Sequence, residues 1–153
     1  MSSSKINVAK QAIDYIKDKL HPDMILGIGT GSTVNFFIEE LGAYKNLFAG
    51  AVSSSEASSN LLNEKGIEVF NLNDVIDIAY YIDGADEVSP NYELIKGGGG
   101  AHTREKIVAS ASNEFVCIVD ETKLVSQLGS FPLPVEVLPE SRGLVARKVV
   151  SMG

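Results

Sequence analysis

Short apolar segments alternate along this sequence with longer segments of helical periodicity. From Val8 to Leu20 an apolar residue recurs at every fourth position, as on one face of an amphipathic helix. The apolar segments are only a few residues long, which is typical of strands. This alternation predicts βαβ units and an α/β fold with a mostly parallel, Rossmann-like sheet that has helices on both faces. The predicted helices are 8–20, 33–41, 56–65, 101–110 and 142–152, and the predicted strands are 24–27, 48–52, 69–70, 78–82 and 115–119.

Length and charge exclude several classes of protein. A chain of 153 residues predicts one domain, since domains usually contain about 100–200 residues. The net charge of −7 opposes binding to nucleic acid or to an anionic membrane, and no apolar run approaches the ~18 residues of a membrane span. We therefore expect a soluble, cytoplasmic protein with no nucleic-acid or membrane partner.

Cys117 lies in an apolar run, which predicts a buried core thiol.

A glycine-rich segment, Gly27-Ile28-Gly29-Thr30-Gly31-Ser32-Thr33, follows the first long predicted strand and leads into a helix. Glycines let backbone N–H groups approach an anion, and the helix N-terminus adds a favourable dipole. A tight turn with a Ser or Thr helix cap is the alternative. Dinucleotide-binding loops have glycine where Ser32 stands, and P-loops contain a lysine that is absent here. We interpret this first loop as a site for phosphate or another anion.

Polar segments also follow the next strands. Ser53 to Ser59, with Glu56 among the hydroxyls, indicates a helix cap, although Glu56 could instead contact a ribose. Asp83-Gly84-Ala85-Asp86-Glu87 follows a later strand and forms the second loop. Its carboxylates suit hydrogen bonds to polyol hydroxyls, or a divalent metal ion that no His or Cys cluster supports. A solvated Asp-Gly turn is the alternative.

The third loop, Lys96 to Gly100, contains four consecutive glycines. Such a run costs backbone entropy and has no evident packing use, so we interpret its N–H groups as lining an anion-binding concavity. Lys96 can stabilise an oxyanion, and Glu105 falls near a helix start that favours its ionised form. This combination is typical of proton abstraction next to a carbonyl group. A flexible loop before a charged helix face is the alternative.

Together and in this order, the segments resemble the type A ribose-5-phosphate isomerases, a family that residues 131–137 also match. The resemblance implies interconversion of D-ribose 5-phosphate and D-ribulose 5-phosphate through an enediolate, in the non-oxidative pentose phosphate pathway. It implies no cofactor or metal, and a homodimer or larger homo-oligomer. A non-catalytic sugar-phosphate-binding domain of the same fold and a Rossmann-type nucleotide enzyme are the alternatives.

The resemblance also assigns roles by position. Glu105 matches the base that moves a proton between C2 and C1, Asp83 matches a residue implicated in ring opening, and Lys96 is assigned with them as catalytic. Lys10 corresponds to a basic residue near the phosphate. The implied substrate-binding residues are Thr30, Gly31, Ser32, Thr33, Asp83, Gly84, Ala85, Asp86, Lys96, Gly97, Gly98, Gly99 and Lys123.

Chains of this family continue into a smaller α+β lobe. We therefore expect residues 1–153 to be an incomplete catalytic α/β domain, in which 131–153 lead toward a second lobe that is missing here. We also expect this domain to be less stable than a complete family member.

Overall fold

Four parallel strands form the central sheet of the computed structural model, which describes residues 2–153. Met1, the first residue of the predicted domain, lies outside the described residues. The strands are β1 (Ile25–Ile28), β2 (Gly50–Ser53), β3 (Ile78–Asp83) and β6 (Ser112–Cys117), in the order β2-β1-β3-β6. A separate antiparallel hairpin pairs β4 (Glu87–Val88) with β5 (Leu94–Ile95). The mostly parallel α/β fold is confirmed.

Helices cover both faces of the sheet, as predicted. The helices are α1 (Ser2–Ile16), α2 (Ser32–Leu41), α3 (Glu56–Glu64), α4 (His102–Ser110) and α5 (Arg142–Val150). The first three pack into one core cluster, in which Ile16, Phe37 and Leu62 are completely buried. On the opposite face, Val108 of α4 packs with Tyr81 of β3. Within residues 2–153, no helix has the length and apolar character needed to cross a bilayer.

The order in which strands are added to the sheet reverses at β1. It passes from β1 through α2 to β2 on one side, and then through α3 to β3 on the other side. The carboxyl ends of β1 and β3 are therefore adjacent, and the loops that follow them diverge. The Gly29 amide donates to Ile82 O at 2.9 Å across this junction. In open α/β sheets such a switch point is where ligands bind.

The sequence patterns misplaced several boundaries. The helix predicted from residue 8 begins at Ser2, because its first turn carries polar residues that hide the periodicity. The predicted strand 69–70 is reduced to a single bridge between Val69 and Ala51. The β4–β5 hairpin was not predicted, since two-residue strands are too short to show a periodic pattern.

The last predicted strand, 115–119, is wrong in its bounds and in its burial. Strand β6 begins at Ser112 and lies at the edge of the sheet, where Phe115 is 37% exposed. Cys117 is only half-buried, so the prediction of a core thiol is not met in full. An apolar run alone does not distinguish an edge strand from a central one.

The same substitution, Ile to Ala, should change the free energy of unfolding very differently at a core position and at the surface. Ile38→Ala, at a completely buried position, should lower the free energy of unfolding by about 2–5 kcal/mol, because it leaves a cavity. Ile76→Ala, at a fully exposed position, should change it by less than about 0.5 kcal/mol. Urea denaturation of both variants checks this, and equal effects would contradict the packing described here.

Candidate functional site

A cavity of about 380 Å³ lies at the switch point, between the loops that follow β1, β3 and β5. The three residues assigned as catalytic and all the implied substrate-binding residues contribute to its wall, whereas Lys10 does not. The lining residues are Thr30, Gly31, Ser32, Thr33, Val34, Asp83, Gly84, Ala85, Asp86, Lys96, Gly97, Gly98, Gly99, Ala101, Glu105 and Lys123. A larger groove of about 510 Å³ beside α4 has no carboxylate in its lining, whereas the buried carboxylates of Asp83 and Glu105 line the smaller cavity.

Asp83, the last residue of β3, is the most highly bonded carboxylate of the site. It is 1% exposed, and its Oδ1 accepts hydrogen bonds from the amides of Thr30 at 3.1 Å and Gly84 at 2.7 Å. Its Oδ2 accepts from the Tyr81 hydroxyl at 2.6 Å and from Lys96 Nζ at 2.8 Å. Four donors offset the cost of burying a charged group. The carboxylate thereby ties the first and third loops to the end of β3.

Lys96 lies between two carboxylates. Its Nζ donates to Asp83 and, at 2.5 Å, to Gly84 O, and lies 3.2 Å from Glu105 Oε2. The first two contacts are hydrogen bonds, and the third is an ion pair. A ligand oxygen that binds Lys96 would compete with the contact to Glu105, which is the longest of the three.

Glu105 lies in the first turn of α4 and is only 5% exposed. Burial raises the pKa of its carboxyl group, and the negative charge of Asp83 raises it further, while Lys96 opposes both effects. The dipole at the helix start favours the charged form, as the sequence indicated, whereas burial and the charge of Asp83 disfavour it. Among the described residues, none is oriented to donate a hydrogen bond to Glu105 Oε2. The contact of this oxygen with Lys96 is thus an ion pair without hydrogen-bond geometry.

Helix α2 begins directly after the first loop, at the wall of the cavity. Gly31 occupies the N-cap position, and among the described residues no hydroxyl caps this helix. The alternative of a Ser or Thr cap is therefore wrong. Instead, Ser32 Oγ accepts a hydrogen bond from Lys5 Nζ at 2.7 Å.

Lys5, rather than Lys10, is the α1 lysine at this loop. Neither lysine lines the cavity, but Lys5 is hydrogen-bonded to the first loop whereas Lys10 is exposed. Lys5 continues the stripe of buried positions Ala9, Ala12 and Ile16 by one turn toward the helix start. That spacing was the signal in the sequence, and it was missed because α1 was predicted to begin at Val8.

A second lysine, Lys123, lies at the same end of the cavity. It belongs to a short 3-10 turn, Glu121–Lys123, in which Asp120 accepts hydrogen bonds from the amide and hydroxyl of Thr122. The Thr122 hydrogen bonds lower the pKa of Asp120, and the charges of Lys5 and Lys123 lower it further. The two lysines therefore give this end of the cavity a local positive charge despite the acidic chain.

Two of the four glycines of the third loop, Gly97 and Gly98, leave no room for a Cβ, which the sequence did not reveal. Gly97 has φ of 83°, and a Cβ there would overlap His102. A Cβ on Gly98 would lie 2.6 Å from Asp86 Oδ1, and the Gly98 amide donates to Asp86 Oδ2 at 2.8 Å. The Gly100 amide donates to Gly97 O at 3.1 Å. The expectation that consecutive amides face a ligand is wrong for Gly98 and Gly100, since both are already bonded.

The serine-rich segment after β2 is a helix cap, as the sequence indicated. Ser55 accepts a hydrogen bond from the Ser58 amide at the start of α3. Its Oγ also lies 3.0 Å from Thr30 Oγ1, so this cap supports the first loop. Glu56 is exposed and outside the cavity, which removes the reason for assigning it to a ribose.

The chain matches one protein family in sequence. A family model for ribose 5-phosphate isomerase A (phosphoriboisomerase A) matches residues 50–153. Ribose-5-phosphate isomerase A of Legionella pneumophila strain Corby is 56% identical over 153 residues, which cover 100% of this chain and 69% of that protein. Ribose-5-phosphate isomerase A of Mannheimia succiniciproducens is 57% identical over 146 residues, 95% of this chain and 65% of that protein.

Solved structures show the same fold. Ribose 5-phosphate isomerase A from Neisseria gonorrhoeae superposes with a TM-score of 0.89 at 52% identity, covering 99% of this chain and 66% of that chain. A D-ribose-5-phosphate isomerase in complex with phospho-erythronic acid superposes with a TM-score of 0.85 at 36% identity, covering 97% and 66%. The chain thus spans about two thirds of the length of these relatives.

The close approach of the first loop to Asp83 predicts that Gly29 tolerates no side chain. In Gly29→Ala the new Cβ would overlap the Asp83 carboxyl group, so we expect a loss of about 1–3 kcal/mol in the free energy of unfolding. Gly42→Ala is the control, because its Cβ would only contact the flexible Lys65 side chain at 3.4 Å. Chemical denaturation checks this, and equal stability of the two variants would contradict it.

The raised pKa of Glu105 predicts a pH-dependent effect of Glu105→Gln on stability. Above the ordinary value of 4.5 the unfolded chain loses this proton before the folded chain does, so wild-type stability falls as pH rises through the window between the two pKa values. The variant lacks this loss and should gain stability relative to wild type over that window. Denaturation from pH 4 to pH 8 measures the difference, with Glu64→Gln, an exposed position, as control. A difference that does not vary with pH would contradict the prediction.

Proposed function

The chain belongs to the ribose 5-phosphate isomerase A family, and we propose on that basis that it interconverts D-ribose 5-phosphate and D-ribulose 5-phosphate. The observation that supports this most is the buried Glu105 carboxylate, 3.2 Å from the Lys96 ammonium group in the cavity at the switch point. An acid–base group beside a cation is what a proton transfer next to a carbonyl group requires. The proposal treats residues 1–153 as the catalytic domain of the non-oxidative pentose phosphate pathway enzyme.

We assign the phosphate to the end of the cavity formed by the first loop. Thr30 to Thr33 approach the start of α2 there, and Lys5 and Lys123 supply positive charge. Helix starts and lysines both favour a bound phosphate. The relative solved with phospho-erythronic acid supports the choice of a phosphorylated sugar ligand.

The proposed reaction moves one proton between two neighbouring carbons. Glu105 removes the proton from C2 of the open-chain aldose, the C2–H electron pair forms the C1–C2 double bond, and the carbonyl electrons move to O1. The resulting enediolate takes the proton back from Glu105 at C1, while the hydroxyl proton passes from O2 to O1. The raised pKa of Glu105 suits this role, because a more basic carboxylate accepts the C2 proton more readily.

Lys96 changes partner during this step. When Glu105 accepts the proton it loses its charge, and its 3.2 Å contact with Lys96 weakens. At the same moment negative charge develops on the sugar oxygen, which can take the released N–H group. The cation therefore stabilises the enediolate without a change in the total charge of the cavity.

Asp83 has a positioning role in this proposal. Both of its oxygens are occupied by donors of the chain and the residue is 1% exposed, which leaves no lone pair directed at a substrate hydroxyl. The part in ring opening that the resemblance implies stays a prediction. A cytoplasmic location and a homodimer or larger homo-oligomer likewise remain predictions of the sequence.

Glu105→Gln tests the assignment of the base. In the complete native protein we expect it to lower kcat for ribose 5-phosphate by about 10²–10⁴-fold, because Gln cannot accept the C2 proton, with much less effect on binding. Conversion to ribulose 5-phosphate is followed without added metal, and binding is followed by calorimetry.

Glu64→Gln is the matched control, since Glu64 is exposed and outside the cavity. A Glu105→Gln enzyme that keeps most of its turnover would show that another group is the base. A wild-type protein that binds the sugar phosphate without converting it would support the non-catalytic alternative.

A further inference from the structure

We propose that Tyr81 is a positioning residue of the candidate site, whose buried hydroxyl acts through Asp83 to keep the Lys96 ammonium group in contact with Glu105. The kinetic part of this inference rests on the proposed function, whereas its electrostatic part concerns the side chains alone. Tyr81 does not line the cavity and cannot touch a substrate there. Any effect it has on the chemistry must therefore pass through its neighbours.

The Tyr81 side chain is held in one place. It is completely buried in β3, packs with Val108 of α4, and lies against the ring of Phe115 with centroids 5.5 Å apart. Gly27 of β1 faces the ring so closely that a Cβ there would lie 3.0 Å from it. The hydroxyl is consequently fixed where it meets Asp83 Oδ2, at 2.6 Å. Burial and the charge of Asp83 raise the pKa of the phenol, which keeps it protonated as a donor.

Two donors share that carboxylate oxygen. Lys96 Nζ approaches the same Oδ2 at 2.8 Å, while Oδ1 is occupied by the amides of Thr30 and Gly84. Tyr81 therefore offsets part of the negative charge that faces Lys96. Lys96 in turn stays extended far enough from Asp83 to remain 3.2 Å from Glu105 Oε2.

Loss of the phenolic hydroxyl should raise the pKa of Glu105. Asp83 Oδ2 would keep Lys96 as its only donor and attract it more strongly, which weakens the contact between Lys96 and Glu105. The less compensated charge of Asp83 would also repel an ionised Glu105 more. The other charged group facing Glu105 is Asp86 of the second loop, which repels it as well and is unchanged by the substitution. Both changes at Asp83 disfavour the ionised form of Glu105.

The test is a direct titration of Glu105 by NMR. Glutamate labelled with ¹³C in its carboxyl group is incorporated, and the Glu105 signal is assigned from its absence in Glu105→Gln. In Tyr81→Phe we expect the Glu105 pKa to move upward by on the order of one pH unit relative to wild type. Tyr80→Phe is the matched control: the neighbouring ring packs in the other core cluster, edge-on to Tyr15 at 6.4 Å, and should leave the titration unchanged.

Kinetics in the complete native protein supply the second measurement. The acidic limb of the kcat profile should move to higher pH in Tyr81→Phe, with KM for ribose 5-phosphate changed little, and should stay in place in Tyr80→Phe. Because the titration requires no turnover, an inactive wild-type protein would count against the proposed function without affecting the inference on Tyr81.

A more acidic phenol tests the same contact without removing it. With 3-fluorotyrosine incorporated in place of Tyr81, the hydroxyl donates more strongly to Asp83 and the Glu105 pKa should move downward. This variant also serves if Tyr81→Phe does not fold. An unchanged Glu105 titration in the folded Tyr81 variant, a shift of opposite sign, or an equal shift in Tyr80→Phe would overturn the proposal.

Discussion

The site depends on one buried carboxylate. Asp83 ends β3 with both oxygens saturated by donors from the first loop, the second loop, its own strand and the third loop. A charge that is 1% exposed is tolerable only while those donors stay in place, since an unpaired buried carboxylate is very unfavourable. The same requirement fixes Thr30 and Lys96 relative to each other. The hydrogen bonds that compensate for the burial of Asp83 therefore also fix the geometry of the cavity.

Close approach of the backbone to a carboxylate explains two of the loop glycines, Gly29 and Gly98. Gly29 lies against Asp83, and Gly98 lies against Asp86, so neither position has room for a Cβ. The first and third loops are thus packed onto the two aspartates of the second loop. Their glycines bring the walls of the cavity together, and the amides that remain unbonded within the loops are the ones a ligand can use.

The two ends of the cavity carry different sets of charged groups. Lys5 and Lys123 supply positive charge at the first loop, which suits a phosphate. At the other end Lys96 lies between Asp83 and Glu105, and burial raises the pKa of the Glu105 carboxyl group. The two carboxylates that contact Lys96 consequently differ in their surroundings: Asp83 accepts four hydrogen bonds, whereas burial raises the pKa of Glu105.

The parallel α/β architecture and the loops that form the cavity follow from the sequence, because hydrophobic periodicity locates strands and the carboxyl ends of parallel strands share one edge. The sequence did not show that Lys5 contacts the first loop, that Asp83 is buried with four hydrogen bonds, or that burial raises the pKa of Glu105. Those properties arise from distances between segments far apart in the chain. Only the tertiary structure decides such distances, since burial and hydrogen bonding depend on which segments meet and not on the spacing of residues within any one of them.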